Sequence, residues 1–333
     1  MKSYLKKIAL PVVSKKTLFL GVVLSFSAIL VSPISQAAEK LKVGYNIWVG
    51  SSGVFVAQEK GFFKQAGLDV EFVPFKSPGD TIPALMGGHI DIALTTTDNV
   101  VLVNAKSAAN LKIIFATDSS NGADAIVAKK SISGMADLKG KTVAVTQGEV
   151  NELLLLKALE KAGMKSGDIK SVNMDPDSAG AAFVAGKVDA AVTWEPWISR
   201  AVSGGNGKIV FSSSQAPNLI LDVVTVKQST IKSRGKAIAA FLGAVDKGTA
   251  LLKTNPDEAI PLAAKWLEVP AAEVKAMLAG VKLYGMADNA TLLHDSTAAH
   301  TVENISAFYL SHKTVSKSAK GSDMVDGSLI LAK

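Results

Sequence analysis

The residues best able to do chemistry in this chain are carboxylates and indoles, and they recur just beyond apolar runs. ATDSSNGAD (116–124) sets Asp118 and Asp124 around small hydroxyl, amide and glycine residues, between the apolar KIIFA and AIVA. Further on, Trp194-Glu195-Pro196-Trp197 places an acid between two indoles, and Asp222 follows the apolar Leu219-Ile220-Leu221. Asp, Ser, Asn and Gly are the usual turn formers, so one reading of 116–124 is a plain turn. The other is that carboxylates at the mouth of a buried strand receive an ammonium through charge-assisted hydrogen bonds.

Other chemistries have little to work with. The chain has no cysteine, which excludes disulfides, thiolate metal ligands and cysteine nucleophiles. Its four histidines (His89, His294, His300, His312) show no HxH or HExxH spacing, so no metal site and no cofactor is expected. The formal charge is +7, but Lys2, Lys6, Lys7, Lys15 and Lys16 all precede an uncharged apolar run, Thr17–Val31. That run ends in Ser35-Gln36-Ala37, the small-residue pattern of a cleavable export signal. Without those five lysines, 36 − 5 = 31 basic residues face 29 acidic ones, a net of +2. Arg200 and Arg234 are the only arginines, and no basic stripe with interleaved aromatics is present, so nucleic acid is not an expected partner. The expectation is an exported protein, cleaved near Ala37 and retained in a periplasm.

These residues need elements to position them. Short apolar runs at 41–46, 68–75, 89–96, 111–116, 141–147, 169–175, 189–195 and 208–213 read as strands, alternating with amphipathic stretches that read as helices. That rhythm predicts βαβ units in an α/β fold with largely parallel sheets. From Ile231 to Leu310 successive helices are expected, with Asp98 as the cap of an earlier one. The predicted organisation is a signal peptide over 1–37, a first lobe over 38–130, a second over 131–222, and a return to the first lobe with a helical tail over 223–333. The stretches 131–141 and 219–226 are the candidate crossovers.

GYNIWVGSSGVFVAQEKGFFKQAGLDVEFVPF, ALMGGHIDIALTTTDNV, DLKGKTVAVTQG and FVAGKVDAAVTWEPW occur in this order along nearly all of the exported part. Together they resemble the nitrate/sulfonate/taurine (NitT/TauT) group of ABC-importer substrate-binding proteins. The resemblance implies a type II periplasmic binding-protein fold, two α/β lobes joined by two crossover segments, with one small ligand between them. It also implies an ABC permease in the inner membrane as partner, and a monomer is expected.

In open parallel sheets ligands sit beyond the carboxyl ends of strands, where helix N-termini point. The segments expected there are 46–53, 95–99, 118–124, 147–151 and 194–196. Trp48 is either a ligand wall or a core cap. Ser51 and Ser52 offer hydroxyls and helix N–H groups to an anion, or ordinary capping. Thr96 and Thr97 are candidate donors to an oxyanion, and Gln147 a polar contact from the second lobe. Asp118, Asp124, Glu195 and Asp222 are candidate ligand carboxylates, with turn, cap or hinge roles open to each. No arginine falls in these segments, and a site for a bare dianion normally uses one.

The expected function is therefore capture of a small polar organic solute, taurine-like, sulfonate-like or otherwise amine-bearing, for delivery to the permease. Two alternatives stand beside it: a nitrate- or bicarbonate-type anion receptor, and a pyrimidine-binding protein or thiamine-precursor enzyme of the same fold. No enzyme activity is expected, since reactive Cys is absent and His89 sits at a strand start.

Overall fold

A computed structural model describes residues 38–107, 109–204 and 206–330. The expected signal peptide, 1–37, lies outside the described residues. Eleven strands form two sheets among the described residues. The first contains β1 (Glu39–Tyr45), β2 (Leu68–Pro74), β3 (Ile92–Thr96) and β4 (Leu111–Ser120). The second contains β5 (Asp124–Lys129), β6 (Thr142–Val145), β7 (Lys170–Asn173), β8 (Ala190–Trp194) and β9 (Gly207–Ser212). The chain then returns to the first sheet with β10 (Leu221–Lys227) and β11 (Val281–Leu283). The strand orders are β11-β4-β10-β3-β1-β2 and β7-β6-β8-β5-β9.

Each sheet has a parallel trio, β2-β1-β3 and β7-β6-β8, whose strands are linked by helices. The strand arriving from the other lobe then pairs antiparallel: β10 with β3 and β4, β5 with β8 and β9. The sheets are thus mixed where parallel ones were expected, because a strand entering from the opposite lobe runs against its new neighbours. This is the two-lobed α/β architecture of the type II periplasmic binding proteins.

Apolar residues of the strands explain the layering. Leu41, Val43, Ile92, Ile113 and Phe115 pack against Phe241, Leu242 and Val245 of the long helix Gln228–Thr254. In the second lobe, Ile126, Val143, Val145 and Val192 cover Leu154, Leu155 and Ala158 of the helix Val150–Lys161. The helix Ser52–Glu59 crosses Gln228–Thr254 at two glycines; a Cβ on Gly248 would lie 2.0 Å from the Gly53 carbonyl oxygen.

The change of sheet falls earlier than 131. β4 runs through Thr117–Ser120, leaving only 121–123 as the first crossing, so 124–129 belongs to the second sheet. Polar residues stay in the strand because remote partners pair with them: Asp118 with Asp222, Ser119 with Leu221, Val281 with Ser120. The second crossing is 213–220. Ser213, fully buried, joins the two crossings: its hydroxyl accepts from the Gly122 N–H at 2.7 Å and bonds the Ser120 hydroxyl at 2.8 Å. Ser213→Ala is expected to lower stability by about 1–3 kcal/mol, since it strands a buried N–H. Denaturant unfolding measures this; an unchanged midpoint would mean that Ser213 is no pin.

Candidate functional site

Where β1 ends, the backbone stays extended through Trp48 before the turn Val49–Ser51. The Trp48 indole is buried and its Nε1–H donates to both Asp118 oxygens, at 3.2 and 3.3 Å. Asp118 also accepts from the Thr117 hydroxyl at 3.1 Å. Gly50 makes room for this pair, since a Cβ there would sit 1.9 Å from Asp118 Oδ1. Trp194 ends β8 in the second lobe, and its ring centroid lies 5.9 Å from that of Trp48, tilted by 52°. Asp177 fixes this wall by accepting from Nε1 of both Trp194 (3.0 Å) and Trp197 (2.9 Å).

The two indoles bound a small cavity of about 10 Å³ at the junction of the lobes. Asn46, Pro78, Thr96 and Asp222 line it from the first lobe, Asp124, Val150 and Trp194 from the second, and Ile220 from the second crossing. Asp118 stands one contact behind, bonded to Trp48 and set beside Asp222, its partner in the β4–β10 ladder. Asp124 Oδ2 and Asp222 Oδ2 are buried with no hydrogen-bond partner. No lysine or arginine is among the lining residues.

Burial in this setting favours the neutral acids. It pushes Asp118 and Asp124 up to about 7, with repulsion from Asp124 adding to the rise at Asp118. Asp222 is driven well above the usual carboxylate range by burial, then by repulsion from Asp118 and Asp124.

Away from the crossings, Glu149 precedes the helix Val150–Lys161 and reaches the other lobe, accepting from the Ser77 hydroxyl at 2.6 Å and the Gly79 N–H at 3.3 Å. Burial raises Glu149 to about 7 as well, despite the Ser77 bond.

The structure brings Trp48, Thr96, Asp124 and Asp222 to one cavity, with Asp118 directly behind. It takes the other candidates elsewhere. Ser51 and Ser52 are buried, and the Ser52 hydroxyl turns back to the Val49 carbonyl at 2.5 Å. The Thr97 hydroxyl donates to the Leu221 carbonyl at 3.1 Å, Gln147 is exposed, and neither residue lines the cavity. Glu195 accepts from the Ser199 N–H (3.0 Å) and hydroxyl (2.9 Å), tying down its own helix beside an outer cleft with Arg200 and Glu273. Asp98 is no cap: the helix Thr97–Lys106 starts before it, and Asp98 is buried in the first turn and raised by burial to about 6. Asn46, Val150 and Trp194 fall within segments expected at the cleft without being named as ligand residues, and Pro78 falls outside those segments.

Two α/β lobes, two crossings and a polar cavity at their junction define a solute-binding protein of the periplasmic type. A protein-family model described as NMT1/THI5 like matches residues 48–259. A binding protein of Brucella abortus (strain 2308) is 28% identical over 240 residues, 71% of this chain and 74% of that one. The taurine-binding periplasmic protein of Escherichia coli (strain K12) is 28% identical over 237 residues, 68% of this chain and 72% of the relative. The crystal structure of the periplasmic aliphatic sulphonate binding protein SsuA from Escherichia coli superposes with a TM-score of 0.72 at 24% identity, covering 88% of this chain and 99% of that one. The chain belongs to the NMT1/THI5-like family, within the nitrate/sulfonate/taurine group of periplasmic binding proteins.

Proposed function

We propose that this protein captures a small amine-bearing solute in the cavity between its lobes and presents it to an inner-membrane permease, after removal of a signal peptide near Ala37. The carrying observation is charge: Asp124 and Asp222 line the cavity with unpartnered oxygens, Asp118 backs them, and no lysine or arginine balances them. Desolvated carboxylates of this kind are matched by an ammonium. The two indoles offer apolar walls and ring faces that attract a cation. Asp222 belongs to the first lobe and Asp124 to the second, so one ammonium between them ties binding to closure. Taurine, bound by one relative, also carries an amine, which supports the same reading.

The anion-receptor alternative is disfavoured by the acids. The enzyme alternative finds no Cys, His or Lys among the lining residues to serve as nucleophile or base. The test is titration calorimetry of amines against their deaminated analogues. Amines alone should bind; equal binding of an analogue refutes the reading. Trp48→Ala should weaken binding of the best amine by more than about 1 kcal/mol, as the aromatic wall is lost and Asp118 loses its donor. Unchanged affinity in a folded variant would leave Trp48 with a packing role only.

A further inference from the structure

Four helices of eight residues or more, or their capping residues, border the lobe junction or line it, and the N-terminus of such a helix is the ordinary seat for an anionic group. Here three of them carry acids at or beside their first turn, which weaken that seat for a second anion. The helix Thr97–Lys106 holds Asp98 in its first turn. Glu149 precedes Val150–Lys161, and Glu152 accepts from the Gly148 N–H at 2.8 Å. Asp175 accepts from the Ser178 N–H of Pro176–Val184 at 2.9 Å, with Asp177 one turn in. Ahead of Ser52–Glu59, the Ser52 hydroxyl is spent on Val49. Only the Asn46 amide and the Thr96 hydroxyl remain as polar non-acidic side chains in the lining, and the Thr96 oxygen already accepts from Asn99 at 2.9 Å. Asn151 is buried with its amide unpartnered, but it is not a lining residue.

We infer that the cavity takes a compact organic cation with several N–H donors and no acidic group, and excludes aminosulfonates and amino acids. This rests on the amine reading above and narrows it. The two open acceptors, Asp124 Oδ2 and Asp222 Oδ2, come from opposite lobes, so a ligand with donors on more than one edge satisfies both. Its apolar faces meet Trp48 and Trp194. The cavity, about 10 Å³, is far below the roughly 300–1,000 Å³ of common ligand pockets, which limits the occupant to a few heavy atoms. In so small a space, a sulfonate or carboxylate joined to the amine would lie against Asp124 or Asp222 with no lysine or arginine among the lining residues to receive it, the costly case of an unpaired buried charge.

The experiment is calorimetry at pH 8 on the full mature protein with methylammonium, acetamidinium and guanidinium, against taurine, glycine and ethanesulfonate. At least one of the three cations should bind, with taurine and glycine about 100-fold weaker or undetectable. Asp124→Asn and Asp222→Asn, each checked for cooperative unfolding, should weaken the best cation by about 30-fold or more. Taurine or glycine binding within tenfold of the best cation, with loss in Asp124→Asn, would overturn this inference and leave the amine reading standing. Ethanesulfonate binding with no cation bound would overturn both. No binding of any of the three cations at millimolar concentration overturns the inference as well.

Discussion

Moved from pH 8 to pH 5, the protein should lose about 100-fold in affinity for a cationic ligand for each proton the ligand displaces. Asp118 and Asp124 titrate at about 7 and Asp222 above the usual range, so at pH 5 the cavity acids are protonated and a cation must expel a proton to bind. Below the pKa each pH unit then costs about a factor of ten. Stability without added ligand runs the opposite way. These carboxyls lie at 3.8 in their ordinary setting and at about 7 when folded, so between these values the folded chain holds more protons than the unfolded one. Stability therefore falls as pH rises from about 4 to 7, and thermal unfolding should occur at lower temperature at pH 8 than at pH 5. Glu59, Asp189 and Asp288 are lowered instead, the first two chiefly by hydrogen bonds to lysine, so their contributions fade only at more acid pH. Asp98 and Glu149 also titrate in the upper window, at about 6 and about 7. Calorimetry across pH on wild type and Glu149→Gln separates them. Affinity independent of pH in both would show that the cavity acids do not meet the ligand's charge.

Gly50→Ala should disable binding without touching the cavity lining. Its added Cβ would lie 1.9 Å from Asp118 Oδ1 and 2.1 Å from Cγ, distances no packing tolerates. Asp118 must swing away, which breaks its bonds to Trp48 and Thr117 and shifts it from beside Asp222. Overpacking of this kind costs about 1–3 kcal/mol in stability, and affinity should fall by more than tenfold. Denaturant unfolding and titration on the same preparation read both quantities. Wild-type affinity in this variant would mean that Asp118 has no part in shaping the site.

The repeating strand–helix pattern was legible because hydrophobic periodicity is local, and the ordered phrases of the family carried the lobe plan. The hinge acids were legible in part for the same reason: Asp118 and Asp222 follow apolar runs and Asp124 precedes one. What local pattern cannot carry is pairing. Thr117–Ser120 has turn composition, yet it is strand because β10, about a hundred residues later, supplies its ladder. That remote pairing moves the first crossing to 121–123 and sets Asp118 beside Asp222. Ser52 and Glu195 have the right residue types near the right strand ends, but their side chains are consumed by neighbouring backbone or by Ser199. Position along the chain selects a neighbourhood; the direction of a side chain is decided by who else needs its hydrogen bonds.

Ser213 binds both crossings at one point, and the strand order sets the distances from it. β2, which leads to Ser77, lies three strands from β10, roughly 14 Å at the usual strand spacing, and β6, which leads to Glu149, lies two strands from β5. Pro78 and Val150, next in sequence to Ser77 and Glu149, line the cavity, so the contact across the lobes closes against the cavity wall itself. On the proposed function, a molecule too large for the cavity keeps Glu149 from reaching Ser77, and a misfit is read out as an unclosed rim.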